Sequence, residues 1–294
     1  MPMELILGYF IYLVFRLGGW LVPLLPLGIS YRIAEIIGDL LYLLSYNVRK
    51  AILDNLECVL GKRDRKIARR IFRNLAKNYF DLFRVPELSR EELEARLEIE
   101  GLEYLYKALA QGKGVILTSI HMGCPDVVGQ LLAFYDIPVT VPVEPIKPRV
   151  LFEYISSLRA RKGMRLIPVD GPLLELFRAL RRGEAVGIVT DRDVTESGQI
   201  MPFFGRPARL PDGAVRLARR TGAPIIMGFN IRKPDNTFKV WLEPPIYVPK
   251  KADDKIIRQV MRQIVATMEK YIRAYPDQWL VSVPVWQTDK GVRK

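Results

Sequence analysis

The apolar positions of this chain change their spacing twice. From Leu5 to Ile29 they are almost continuous (LILGYFIYLVFRLGGWLVPLLPLGI), with Arg16 as the only charge. About 20 apolar residues cross a bilayer as a helix. A cation near the middle of such a helix costs roughly 2.5–3.5 kcal/mol, and Pro23 and Pro26 break the helix at its far end. The run predicts a helix lying in or dipping into a membrane interface, with Arg16 snorkelling to the headgroups. A buried core helix is the competing reading, because periodicity does not separate the two. Glu4 in place of a basic start, with no small-residue cleavage site after it, argues against a signal peptide. Residues 30–60 then show a helical period, with Ile33, Ile36, Ile37, Leu40, Leu41 and Leu44 on one face. The charged turn GKRDRK at 61–66 opens a second amphipathic stretch from Ile67 to Phe83, and residues 90–113 read as charged and helix-favouring.

After Gly114 the period shortens. VILTSI (115–120), PVTVPV (138–143), RLIPV (165–169), AVGIVT (185–190), APIIMGF (223–229) and FKVWLE (238–243) read as strands. Helical stretches fall between them at 125–134, 149–162, 172–182 and 212–221, and a last long helix at 253–274 carries Ile256, Val260, Ile264 and Met268 on one face. Strands alternating with helices predict an α/β fold, a mixed central sheet flanked by helices behind the N-terminal helical extension.

Composition narrows the class. The 294 residues are 49% hydrophobic and 26% charged, which excludes a disordered chain. Lys and Arg outnumber Asp and Glu 45 to 32, a net charge of +13 that calls for a polyanionic partner: an anionic membrane, phosphorylated substrates or nucleic acid. The basic runs RRTGAP and RARKGMR come with no groove-reading helix or RNA-binding signature, so no nucleic acid is expected. Two cysteines, Cys58 and Cys124, support no disulfide framework, and one histidine excludes a zinc site of several imidazoles. No metal and no redox cofactor is expected.

The most informative stretch is TSIHMGCPDVVGQ at 118–130, where His121 and Asp126 form H-x-x-x-x-D. On one regular helix, residues five apart lie about 140° apart and share no face. Here a strand ends at Ile120, Gly123 allows a tight turn and Pro125 suits the first position of a helix. His121 is then expected on the loop and Asp126 in the helix's first turn, its carboxylate holding one ring nitrogen and leaving the other as a general base. Free backbone N–H groups at that helix start would stabilise an oxyanion. A satisfied loop histidine, with Asp126 merely complementing the helix dipole, is the alternative. Cys124 as a nucleophile paired with His121 is another, set against a small apolar filler.

Four blocks give this chain a family resemblance: H-x-G-x-x-D at 121–126, VPVEPIKP at 141–148 continuing through Arg159 and Gly163 to RLIPVDG, DRDVTESGQIMPFFGRPARLPDGAVRLARRTGAP at 191–224, and YPDQWLVSVPVW at 275–286. It resembles the lysophospholipid-type acyltransferases of the lipid A biosynthesis group, and looks most similar to the phosphatidylinositol mannoside acyltransferases. The resemblance implies transfer of a fatty acyl chain from an acyl thioester, acyl-CoA or acyl carrier protein, to a lipid hydroxyl. A mannosylated phosphatidylinositol is the implied acceptor, with a lipid A precursor or a lysophospholipid as alternatives. It implies that His121 is the base and Asp126 its orienting partner, and that Asp191 stands where the mannoside branch has a glutamate near the histidine. Glu144, Lys147, Arg159, Arg192 and Arg206 fall in blocks implied to line the substrate groove. Residues 1–60 would then be membrane-associating helices and 61–294 the catalytic domain, on the cytoplasmic face of the inner membrane.

Overall fold

The computed structural model describes residues 3–169 and 174–286. The apolar entrance forms two helices. α1 (Met3–Leu21) runs into a single 3-10 turn, Val22–Leu24, that holds Pro23, and Pro26 caps α2 (Leu27–Leu44). The two prolines thus divide the run where their fixed φ and missing N–H require it. Ser45 separates α2 from α3 (Tyr46–Leu60). α4 (Arg65–Arg84) begins at Asp64, whose carboxylate accepts from the N–H groups of Lys66 and Ile67. The chain continues through α5 (Arg90–Glu94), β1 (Leu97–Glu100), α6 (Leu102–Leu109), β2 (Val115–Ser119), α7 (Pro125–Phe134), β3 (Val139–Val143), α8 (Arg149–Ala160), β4 (Arg165–Pro168) and α9 (Leu174–Arg181). β5 (Ala185–Val189), β6 (Gln199–Phe203), β7 (Arg206–Leu210), α10 (Gly213–Thr221), β8 (Ile225–Arg232), β9 (Phe238–Leu242) and α11 (Asp254–Ala274) complete it.

Seven strands form one sheet in the order β1-β9-β8-β2-β5-β3-β4, parallel except where β8 meets β9. The mixed α/β sheet expected from the strand–helix alternation is the one observed. The largest core cluster fills one face, with Ile116, Val186, Ile225, Ala218, Ile264 and Met268 among its fully buried members. A second cluster around Leu105, Val115, Val139 and Ile226 fills the other. Two elements depart from the sequence reading. Residues 90–113 are not helical throughout, because LEIE at 97–100 extends to pair with β9 at the sheet edge. Residues 199–210 fold as a separate two-stranded hairpin in which Pro202 faces Pro207. Pro202 and Pro207 weaken the strand signal of this segment, since proline cannot donate to a ladder. Asp170 and Gly171 of the second sequence block, and the start of the helix expected at 172, lie outside the described residues.

α1 and α2 are each packed on one flank only. α1 lays Ile11, Tyr12 and Phe15 against Phe83, Leu151 and Tyr154. Phe15 meets Phe83 edge-on at 5.4 Å between ring centroids. Arg16 holds its guanidinium 5.2 Å over the Tyr154 ring. α2 buries Ser30, Tyr31, Ala34 and Gly38. The opposite flanks expose Phe10, Leu13, Leu17, Trp20, Ile36, Leu40 and Leu44. Only 11% of the Leu5–Leu24 window is buried, far from what a core helix shows.

Candidate active site

The candidate site lies beyond the carboxyl ends of three adjacent strands, where open parallel sheets hold their ligands. β2 and β5 pair in parallel with Ser119 opposite Val189. His121 and Asp191 each stand two residues past those partners, so the register brings them side by side. Thr190 secures the strand ends, donating from both its N–H and its Oγ1 to the Ser119 carbonyl at 2.9 and 3.1 Å. β3 lies on the far side of β5, and Glu144, one residue past its end, pairs with Arg192 at 2.9 Å.

Asp191 is fully buried, and both of its oxygens are engaged. Oδ1 lies 2.8 Å from His121 Nδ1, while Oδ2 accepts from the His121 backbone N–H at 3.0 Å and from the Trp279 indole N–H at 2.8 Å. Burial alone would raise this carboxyl, but the charge and hydrogen bond of His121 and the indole bond outweigh it and hold the group below the usual carboxylate range. A carboxylate only accepts, so the proton on Nδ1 belongs to the imidazole and Nε2 carries the lone pair. Among the described residues Nε2 has no partner, and 41% of the side chain is accessible. Burial lowers the affinity of the ring for a second proton, and Asp191, by charge and by hydrogen bond, more than restores it; Arg192 opposes and Glu144 assists. The net effect lifts His121 above the ordinary imidazole value of about 6.5.

Asp126 does not hold the imidazole. Its two oxygens are taken by Arg159 of α8, Nε to Oδ1 at 2.6 Å and a terminal nitrogen to Oδ2 at 3.2 Å. That fork raises the affinity of Arg159 for its proton and fastens the first turn of α7 to α8. The physical reason lies in the turn: α7 begins at Pro125, and its first turn faces α8 while the ring's neighbour comes from β5. Most N–H groups around this helix start are also engaged, that of Asp126 not among them. Gly123 donates to the Gln278 carbonyl, Cys124 to Asn230 Oδ1, and Val127 and Val128 both to the Cys124 carbonyl. Cys124 is fully buried, and burial pushes its thiol far up, so it lacks the thiolate that a nucleophile requires.

Of the other groove candidates, Glu144 and Arg192 join the His121 cluster, whereas Arg159 pairs with Asp126 apart from it. Lys147 is exposed on the loop before α8. Arg206 opens β7 and donates to Cys58 Sγ on α3 at 3.2 Å, which ties it to the hairpin's packing and not to His121. Sequence reasoning gave no role to Trp279, though the indole lies in the fourth block. It also overlooked Asn78, Asn230 and Gln278, which brace the loop after His121 and carry no local motif.

The family model for the bacterial lipid A biosynthesis acyltransferase matches residues 2–288. The chain is 28% identical over 220 residues to the phosphatidylinositol mannoside acyltransferase of Mycobacterium tuberculosis, a stretch that covers 71% of this chain and 66% of that relative, just under two thirds of its length. It is 24% identical over 272 residues to the lipid A biosynthesis lauroyltransferase of Escherichia coli, covering 89% and 86% of the two chains. Among solved structures, the 1-acyl-sn-glycerophosphate acyltransferase PlsC of Thermotoga maritima overlays with a TM-score of 0.40 at 15% identity, over 84% of this chain and 98% of that one. With a family match running along nearly its whole length, the chain belongs to the bacterial lipid A biosynthesis acyltransferase family.

Proposed function

We propose that this protein is a membrane-associated O-acyltransferase that moves a fatty acyl chain from acyl-CoA to a hydroxyl of a mannosylated phosphatidylinositol. The observation that carries the reading is the His121–Asp191 pair, a partly exposed imidazole whose Nε2 has no partner among the described residues while a buried carboxylate fixes its tautomer. Nε2 takes the proton of the acceptor hydroxyl as its oxygen attacks the thioester carbonyl. The tetrahedral intermediate then collapses with cleavage of the C–S bond, and the imidazolium returns the proton to the departing thiolate, releasing coenzyme A. The oxyanion needs preorganised positive charge, which we assign to Arg192, the cation whose field reaches the His121 ring. This scheme needs no metal or cofactor. Similarity to the mycobacterial mannoside acyltransferase supports the acceptor. The test is a transfer assay with long-chain acyl-CoA and vesicles containing mannosylated phosphatidylinositol, read by lipid mass spectrometry. An added acyl chain on the mannolipid is expected; acylation only of a lipid A precursor or a lysophospholipid, offered in parallel, would reassign the acceptor.

In this reading residues 1–60 form the membrane-associating part and 61–294 the catalytic part, on the cytoplasmic face of the inner membrane. The exposed apolar flanks of α1 and α2 support it, and the net charge of +13 favours an anionic surface. Removing α1 would uncover Phe83 and Tyr154, so substitutions on its outer flank make the cleaner test. Leu13→Lys with Leu17→Lys alters two exposed positions. Burying a leucine is worth roughly 1.5–3 kcal/mol, so the pair is expected to weaken vesicle binding at least tenfold in high salt, where surface charge is screened. Co-sedimentation unchanged by both lysines would place the anchor elsewhere.

A further inference from the structure

Gly123, two residues past His121, is held at both of its backbone polar groups. Its N–H donates to the Gln278 carbonyl at 3.0 Å, and its carbonyl accepts from Asn78 Nδ2 of α4 at 2.5 Å. No other residue fits here: φ is +60°, and a Cβ would lie 2.1 Å from Asn230 Oδ1. Asn230 of β8 braces the residues on either side, accepting from the Cys124 N–H at 2.6 Å and donating to the Met122 carbonyl at 3.1 Å.

Both supports of Gly123 lead to Arg232, the last residue of β8. Its backbone N–H donates to Gln278 Oε1 at 3.0 Å, and its guanidinium donates to Asn78 Oδ1 at 2.8 Å. A guanidinium only donates, so it fixes the Asn78 amide with the oxygen toward Arg232 and the NH2 toward Gly123. Arg232 is in turn paired with Asp81 at 2.6 Å, both side chains being almost completely buried. Asp81 also accepts from the Tyr31 hydroxyl of α2 at 2.7 Å and from Arg96 at 3.2 Å. A buried ion pair is a costly device where apolar packing would serve, and here its Arg232 end leads through Asn78 and Gln278 to the histidine loop.

We propose that Asn78, oriented by Arg232, is a positioning residue for the acyl transfer: it sets the His121 loop against Asp191 by holding the Gly123 carbonyl. The inference rests on the reading of His121 as the base. Two variants separate positioning from packing. Asn78→Ala removes both contacts, whereas Asn78→Asp keeps an acceptor for Arg232 and replaces the donor to Gly123 with a repelling oxygen. In the acyl-CoA and mannolipid-vesicle assay both are expected to lose kcat at least tenfold, with KM for acyl-CoA within about twofold of the parent. In Asn78→Ala the acidic limb of the kcat/KM profile is expected to move to lower pH, because a looser bond to Asp191 removes what raises the imidazole. Parent-like turnover in Asn78→Asp would overturn the proposal, as would an Asn78→Ala loss with an unmoved limb. If Asn78→Ala fails to fold, the turnover of Asn78→Asp decides. An active His121→Ala would overturn the reading of the base itself; an inactive one beside a fully active Asn78→Asp overturns the Asn78 proposal alone.

Discussion

His121→Ala is expected to lower kcat by about 10²–10⁴, the usual contribution of a positioned general base, while the thermal unfolding midpoint stays close to that of the parent. The side chain is partly exposed, and its one bond among the described residues is to Asp191. Its removal therefore leaves no cavity in the core, and Asp191 keeps the His121 backbone N–H and the Trp279 indole. In the parent the base must be neutral, so turnover falls as the pH drops through the imidazole pKa, which stands above the ordinary value. The His121→Ala residue of activity is expected to lack that acidic limb. Near-parent turnover in this variant would remove His121 from the chemistry.

Asp191→Asn is expected to cost a comparable factor, about 10²–10⁴, by reversing the tautomer. Two N–H donors, the His121 backbone and the Trp279 indole, point at Oδ2. An asparagine would keep its carbonyl toward them and turn its NH2 toward Nδ1. The ring would then present a lone pair at Nδ1 and carry its proton on Nε2, the atom meant to receive one. The charge that raises the imidazole would vanish as well, so the acidic limb is expected at lower pH. The same change at Asp126 provides the contrast. Asp126→Asn weakens the fork to Arg159 but leaves the tautomer alone, so its loss is expected in thermal stability, with the limb unmoved. A limb that moved for Asp126→Asn and stayed for Asp191→Asn would return the orienting role to Asp126.

The contrast between those two aspartates shows where sequence reading stops. Spacing along the chain placed His121 on a loop after a strand and Asp126 in the first helical turn, and both stand there. The partner of the ring was another matter. Asp191 is 70 residues away and becomes a neighbour only because Ser119 registers with Val189. Register between parallel neighbours is a property of the sheet, not of either strand's pattern. Asp191 was marked as near the histidine by family resemblance, and its orienting bond was not legible. The strands of the central sheet were legible because buried β-branched runs between turn residues are distinctive. β1 was not, since four residues of alternating charge and leucine or isoleucine also suit a helix. Asn78 sits inside α4 next to Lys77, and nothing local separates it from a solvated polar face.

The segment around Trp279 has a consequence for how a working molecule comes into being. The Leu280 N–H donates to the His121 carbonyl at 2.7 Å, the Gly123 N–H to the Gln278 carbonyl at 3.0 Å, and Met122 bridges to Trp279. These contacts join parts of the chain separated by more than half its length, and contacts of that span are slow to form. On the ribosome, α1 and α2 emerge before the sheet with their apolar flanks uncovered, while the histidine loop waits for residues 278–280. A chain interrupted before Trp279 would carry its apolar helices, its central sheet and its histidine, and still lack the clasp around the histidine loop. The histidine loop is thus completed well after the apolar helices have emerged.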